Sequence, residues 1–239
     1  MEKSPQKKSS FGLALKVKFK EKIAEIKSNP KQLIIKYAIF TGVLVILLLI
    51  DQLTKNLIFQ WDSTHTDGLT VDVKDYVIIG TRSVGHRGVT ILPWKDNMAV
   101  IVIVQLISVL IALFLLSVPL FSNKKLIIII CSFILAGDLG NFIDRCIYDG
   151  GMVKDVFFIP FLESWLGRQL GTFNFADVCI IVGSIGIMIY YIVMLFVNKE
   201  SEDKKSINDE SLNTFINSKK DVETSSKKDV ETSEESQQS

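Results

Sequence analysis

Asp155 and Asp177 are the side chains of this 239-residue chain best placed to do chemistry. Asp155 sits in GGMVKDVFF, with apolar residues on its C-terminal side, and Asp177 sits in TFNFADVC between aromatic and small residues. Two carboxylates brought together in a poorly solvated place cannot both ionise comfortably. One keeps a proton, the other accepts one from a water, and such a pair can hydrolyse an amide. Each residue also has a plainer reading: an N-cap at the start of a helix for Asp177, a loop residue for Asp155.

Further polar residues interrupt apolar segments. Asp51 and Lys55 are spaced i, i+4, so they can pair on one helical face or simply anchor a helix end. Asp138, Asn141 and Arg145 share one face of an apolar helix, with Asp144 beside them. Lipid penalises each of these groups, so they mark either a functional site or a polar helix–helix contact. Gly137 and Gly140 fit both readings. Other routes are poorly supplied. There is no GxSxG, HExxH, Walker or GxGxxG motif. Cys131 and Cys179 fall inside apolar runs, and Cys146 has no nearby His. Two His, His65 and His86, are too few for an all-histidine metal site.

The elements that must position these residues are set by segregation along the chain. Apolar residues make up 48% and charged residues 22%, with Lys+Arg 27 against Asp+Glu 26. The near-zero net charge argues against a nucleic-acid binder, and three Cys argue against a disulfide scaffold. Four apolar runs of bilayer-spanning length, 33–50, 98–120, 126–145 and 175–197, predict four transmembrane helices. Residues 51–97 carry β-branched stretches separated by Gly and predict two or three short strands. Residues 146–174 read as a loop.

Three parts follow: a basic leader over 1–32, in which 11–26 has the pattern of an amphipathic helix, a four-span domain over 33–198, and a polar tail over 199–239. The tail repeats SKKDVETS at 218–225 and 226–233, and its composition predicts disorder. An even number of spans puts both termini on one side. The leader lysines, with Lys124 and Lys125 in the short turn, place that side in the cytoplasm. Asp51, Lys55, Asp144, Arg145, Asp155 and Asp177 then gather at the outer membrane boundary.

DQLTK (51–55), AGDLGNFIDR (136–145), MVKDVF (152–157) and FNFAD (173–177), in this order on a four-span chain, resemble lipoprotein signal peptidase, the type II signal peptidase of bacteria. The resemblance covers roughly residues 33–197. It implies an all-α polytopic membrane protein with four transmembrane helices and a small extracytoplasmic β-structure. It implies an intramembrane aspartic dyad of Asp155 and Asp177, supported by Asp51, Lys55, Asn141, Asp144, Arg145 and Asn174. It implies no metal or organic cofactor. The implied substrate is a prolipoprotein whose Cys carries a diacylglyceryl group, cut just before that Cys. The expected setting is the cell membrane, with lipids as neighbours, no nucleic acid partner and a monomeric enzyme.

Four features depart from the family pattern, one of them the long loop between Asp155 and Asp177, in which VFFIPFLESWLGRQLG reads as an interfacial segment. The family's Asn-x-Gly-Ala-Ala-Phe-like stretch is matched only by Ser83-Val84-Gly85-His86-Arg87-Gly88. Asp138 stands at a place that is usually small and apolar, as a third acid near the dyad or a group facing another helix. The tail has no counterpart. Two other classes compete: a small transporter subunit using Asp138, Asn141 and Arg145, and a membrane anchor presenting the tail. The transporter reading needs charges continuing through several spans, and the second span offers only Gln105. Deleting 199–239 separates the anchor from the peptidase. Cleavage of a lipidated precursor by the truncated protein is expected to match that of the full chain, and its loss would favour the anchor.

Overall fold

A long apolar segment in lipid has to satisfy its backbone hydrogen bonds internally, and a helix does so. The computed structural model describes residues 7–60, 71–87 and 97–199. In chain order these form α1 (Lys7–Ser28), α2 (Pro30–Ile58), β1 (Val71–Asp75), β2 (Gly80–Arg87), α3 (Met98–Phe121), α4 (Lys125–Ile147), β3 (Met152–Phe158), α5 (Pro160–Leu166) and α6 (Phe175–Lys199). Four of them, α2, α3, α4 and α6, are long and apolar enough to cross a membrane. The chain divides into two compact units, Met1–Ile187 and Met188–Ser239. In the second, the described residues 188–199 are helical, with the Tyr190 and Tyr191 rings edge to face. The expected disorder of the tail falls on residues outside the described ones.

Two expectations are corrected. The first span does not stop near residue 50: α2 runs on to Ile58, so Asp51 and Lys55 lie inside a helix. Residues 146–174 are not simply a loop, because Met152–Phe158 is strand β3 and Pro160–Leu166 is helix α5. Six of the seven β3 residues are buried, so the strand lacks the alternation of polar and apolar residues by which half-buried strands announce themselves.

The most buried of the four long helices is α4. Phe40, Leu44 and Leu47 of α2, Leu115 of α3, Ile128 and Leu135 of α4, and Cys179 of α6 form one core around it. Outward residues such as Ile46, Leu53, Leu110 and Phe114 are apolar and exposed, which suits a surface solvated by lipid. Where α4 meets α6 the backbones touch: a Cβ on Gly137 would collide with the carbonyl oxygen of Ala176.

The sheet is antiparallel in the order β1-β2-β3, and it sets Val84 opposite Asp155. Gly150 and Gly151, with φ of 70° and 69°, turn the chain sharply from α4 into β3, so Asp144 and Asp155 are joined by a short path. Phe173 bridges to Phe157, which draws the start of α6 alongside β3. Arg82 clamps this connection. It is buried, donates to both Glu163 carboxylate oxygens at 2.9 and 3.2 Å and to Thr172 Oγ1 at 2.7 Å, and lies over the Phe158 ring.

The α4–α6 contact gives a test. Gly137→Leu is expected to force the two helices apart and lower stability by about 1–3 kcal/mol, as overpacked interiors do. A thermal melt in detergent, read by the exposure of the buried thiols of Cys131 and Cys179, measures it.

Candidate active site

An ammonium group with no access to water must be surrounded by acceptors, or its burial is prohibitive. Lys55 has no exposed surface. Its Nζ lies 3.0 Å from Asp51 Oδ2, one turn back on α2, and 3.0 Å from Asp144 Oδ2 on α4. It donates to Asn141 Oδ1 at 3.0 Å. Both carboxylates are themselves buried. Gln52 closes the group by donating to Asp51 Oδ2 at 3.1 Å and to the Gly140 carbonyl at 3.3 Å. The i, i+4 spacing of Asp51 and Lys55 therefore makes a buried three-charge contact between helices rather than an interfacial anchor.

The two aspartates of that group each hold a further element. Asp51 Oδ1 accepts from the Ala176 backbone N–H, in the first turn of α6, at 2.8 Å. Asp144 Oδ2 accepts from the Lys154 N–H of β3 at 3.2 Å. The residues that directly follow these anchored points, Ala176 and Lys154, are Asp177 and Asp155.

Asp177 owes its orientation to a local motif. Asn174 is the cap of α6: its Oδ1 accepts from the Asp177 N–H at 2.9 Å, while Asp177 Oδ2 accepts from the Asn174 N–H at 3.1 Å. This is a reciprocal capping box, so Asp177 occupies the third helical position rather than the cap. Its other oxygen, Oδ1, accepts from Asn141 Nδ2 at 2.9 Å.

Asp155 stands in the middle of β3, 3% exposed. Asn174 Nδ2 donates to its Oδ1 at 2.8 Å, and the same amide nitrogen lies 3.0 Å from Asn141 Oδ1. Asn174 thus contacts both aspartates, one through its side chain and one through its backbone and cap. Against Asp155 Oδ2, at 3.1 Å, lies Nε2 of His86 on β2. Burial pushes the Asp155 carboxyl above the usual carboxylate range, with the His86 imidazole opposing it. Burial also pulls His86 down, but the hydrogen bond and charge of Asp155 outweigh it and hold the imidazole above its ordinary value.

The structure therefore gathers Asp51, Lys55, Asn141, Asp144, Asp155, Asn174 and Asp177 into one connected polar cluster. Arg145 feels the charges of Asp177, Asp144 and Asp155 from α4. Asp138 faces another helix, accepting from Ser108 of α3 at 2.6 Å. Ser83 is turned to the backbone and accepts from the Gln60 N–H at 2.8 Å. The sequence reading missed Gln52, His86 and Arg82. Gln52 lay inside the quoted DQLTK motif, whereas His86 and Arg82 gave no local signal. Among the described residues no three His, Cys, Asp or Glu side chains cluster as metal ligands do.

Known proteins resemble this chain over the stretch that holds the cluster. The family model for signal peptidase (SPase) II matches residues 43–194, a stretch containing every residue of the cluster. The lipoprotein signal peptidase of Mycoplasmoides gallisepticum is 30% identical over 190 residues, covering 76% of this chain and 57% of that protein, little more than half its length. That of Malacoplasma penetrans is 30% identical, over 78% of this chain and 76% of its own. That of Borrelia hermsii is 32% identical over 161 residues, covering 66% of this chain and 90% of its own. A bacterial membrane enzyme solved by the in meso method at 2.3 Å resolution shares the fold, with a TM-score of 0.51 and 23% identity over 64% of this chain and 87% of its own.

Lys55→Met removes the cation and leaves Asp51 and Asp144 buried and uncompensated. Stability is expected to fall by about 3–5 kcal/mol. Adding Asp51→Asn and Asp144→Asn in the same chain should recover part of it. Thermal melts of the single and triple variants in detergent give the comparison.

Proposed function

The chain belongs to the signal peptidase II family, aspartic peptidases that remove signal peptides from prolipoproteins, and from that premise we propose that Asp155 and Asp177 are its catalytic pair. The observation that supports this most is Asn174, which hydrogen-bonds to both aspartates at once. A bridge of that kind holds two carboxylates at one place without neutralising either.

The reaction is direct attack by water. One carboxylate takes a proton from the water as its oxygen bonds to the scissile carbonyl carbon. The other, protonated, donates to the carbonyl oxygen. The tetrahedral intermediate collapses, the C–N bond breaks, and the leaving nitrogen takes up a proton from the pair. General acid–base help of this kind contributes on the order of 10²–10⁴ in rate. The remainder comes from orientation, since lipidated substrate and dyad are both confined to one plane of the membrane.

The substrate is a prolipoprotein whose Cys carries a diacylglyceryl group, and the cut falls just before that Cys. Its acyl chains lie along the apolar faces of the bundle while the peptide crosses the sheet. The leader lysines and the Lys124–Lys125 turn put both termini in the cytoplasm and the cluster at the outer face. Residues 33–198 carry the peptidase, and 1–32 and 199–239 are accessory; the family match over 43–194 supports those limits.

Asp155→Asn and Asp177→Asn are each expected to abolish cleavage of a purified diacylglyceryl-modified precursor, with melting behaviour near that of the wild type. Cleavage retained by either variant would remove the assignment.

A further inference from the structure

The proposed pair contains an unanswered choice: which carboxylate takes the proton from water. The neighbours of Asp155 answer it. Asn174 Nδ2 can only donate, so Asp155 Oδ1 is an acceptor. Oδ2 faces His86 Nε2 at 3.1 Å. The other ring nitrogen, Nδ1, is buried and has no hydrogen-bond partner among the described residues. An imidazole keeps its proton where an acceptor exists, so Nε2–H is the donor whether the ring is neutral or charged. Both oxygens of Asp155 therefore face donors, as both oxygens of Asp177 do; what sets Asp155 apart is that one of its neighbours, the His86 imidazole, can carry a positive charge, which favours the ionised carboxylate.

The placement of His86 follows from the sheet. Val84 is paired with Asp155 across the β2–β3 ladder, and His86 lies two residues further along β2, on the same face and diagonal to the aspartate. A side chain of histidine length spans that diagonal. Among the described residues, the His86 ring has Asp155 as its one polar partner.

Resting on the reading of Asp155 and Asp177 as the catalytic pair, we propose that His86 is a positioning residue that holds Asp155 ionised, making Asp155 the base that takes the proton from water and Asp177 the acid that supplies one. Among the described residues, the charged groups that bear on this contact can be named. His86 meets Asp155 from β3, Arg145 from α4 and Asp177 from α6. Asp155 also feels Asp177 and Lys55. Arg145 and Lys55 favour an ionised Asp155, Asp177 opposes it, and His86 is the cation nearest to it that can titrate near neutral pH. Loss of His86 leaves burial unopposed on the Oδ2 side, and the pH below which the base is protonated then rises.

The test is the pH profile of cleavage. His86→Ala is expected to lower kcat about tenfold near neutral pH with KM little changed, and to move the acidic limb upward by about one pH unit. His86→Gln, which keeps an N–H donor without the charge, should fall between the two. An acidic limb that stays in place in both variants, or a loss confined to KM, overturns the proposal. A second measurement does not depend on the folding of those variants. The chain has two histidines, so imidazole NMR of labelled protein, with His65→Gln for assignment, follows His86 directly. Its titration should lie above the ordinary histidine range and drop in Asp155→Asn. An unchanged titration overturns the contact. Cleavage retained by Asp155→Asn would instead remove the catalytic pair itself, a separate failure.

Discussion

Lys55 is buried in a place where no solvent can stabilise its charge, and the surrounding architecture follows from that. An ammonium group there needs acceptors from more than one element, and it has them from α2 and α4: Asp51, Asp144 and Asn141. Once so placed, each acceptor has capacity to spare. Asp51 takes a backbone N–H of α6, Asp144 takes one of β3, and Asn141 passes its amide protons to Asp177. A single cation thereby fixes the ends of three helices and one strand relative to each other. The alternative, a charge left without partners in low dielectric, is so unfavourable that the arrangement has little freedom.

The two candidate catalytic carboxylates inherit their positions from this frame, by different means. Asp177 is set by a local device, the capping box at the start of α6. Asp155 is set by a nonlocal one, a strand whose backbone is held by β2 on one side and by Phe173 near its end. Asn174 belongs to both, which is how the start of a helix and the middle of a strand come to share one site. Neither carboxylate is free to swing, and a hydrolytic pair needs that fixity to hold a water against a carbonyl.

The four spans, the i, i+4 pair of Asp51 and Lys55 and the face shared by Asn141 and Arg145 were legible in the sequence, because each depends on helical period or on runs of apolar residues. The grouping of motifs in order was legible too, as a family resemblance. Strand β3 was not. Its residues are buried on both faces, so period-2 alternation is missing, and a Lys–Asp pair at its centre reads as loop. Gly150 and Gly151 marked the turn before it, though not what followed. His86 looked like one of the changes in a weak match to the family stretch, and the structure sets it on Asp155. Its distance along the chain from that partner left nothing local to read.

What the sequence alone determined is the inventory and the layout: which helices cross, which residue types are available to the site, and that they lie at one end of the bundle. Helical periodicity and transfer energetics act over short stretches of chain, so these properties are written locally. What the tertiary structure decided is partnership. That Asn174 contacts both aspartates, that Asp51 holds the start of α6, and that a histidine faces Asp155 depend on strand register and helix packing. Those are settled by the joint burial of residues far apart in the chain, and no local pattern carries them.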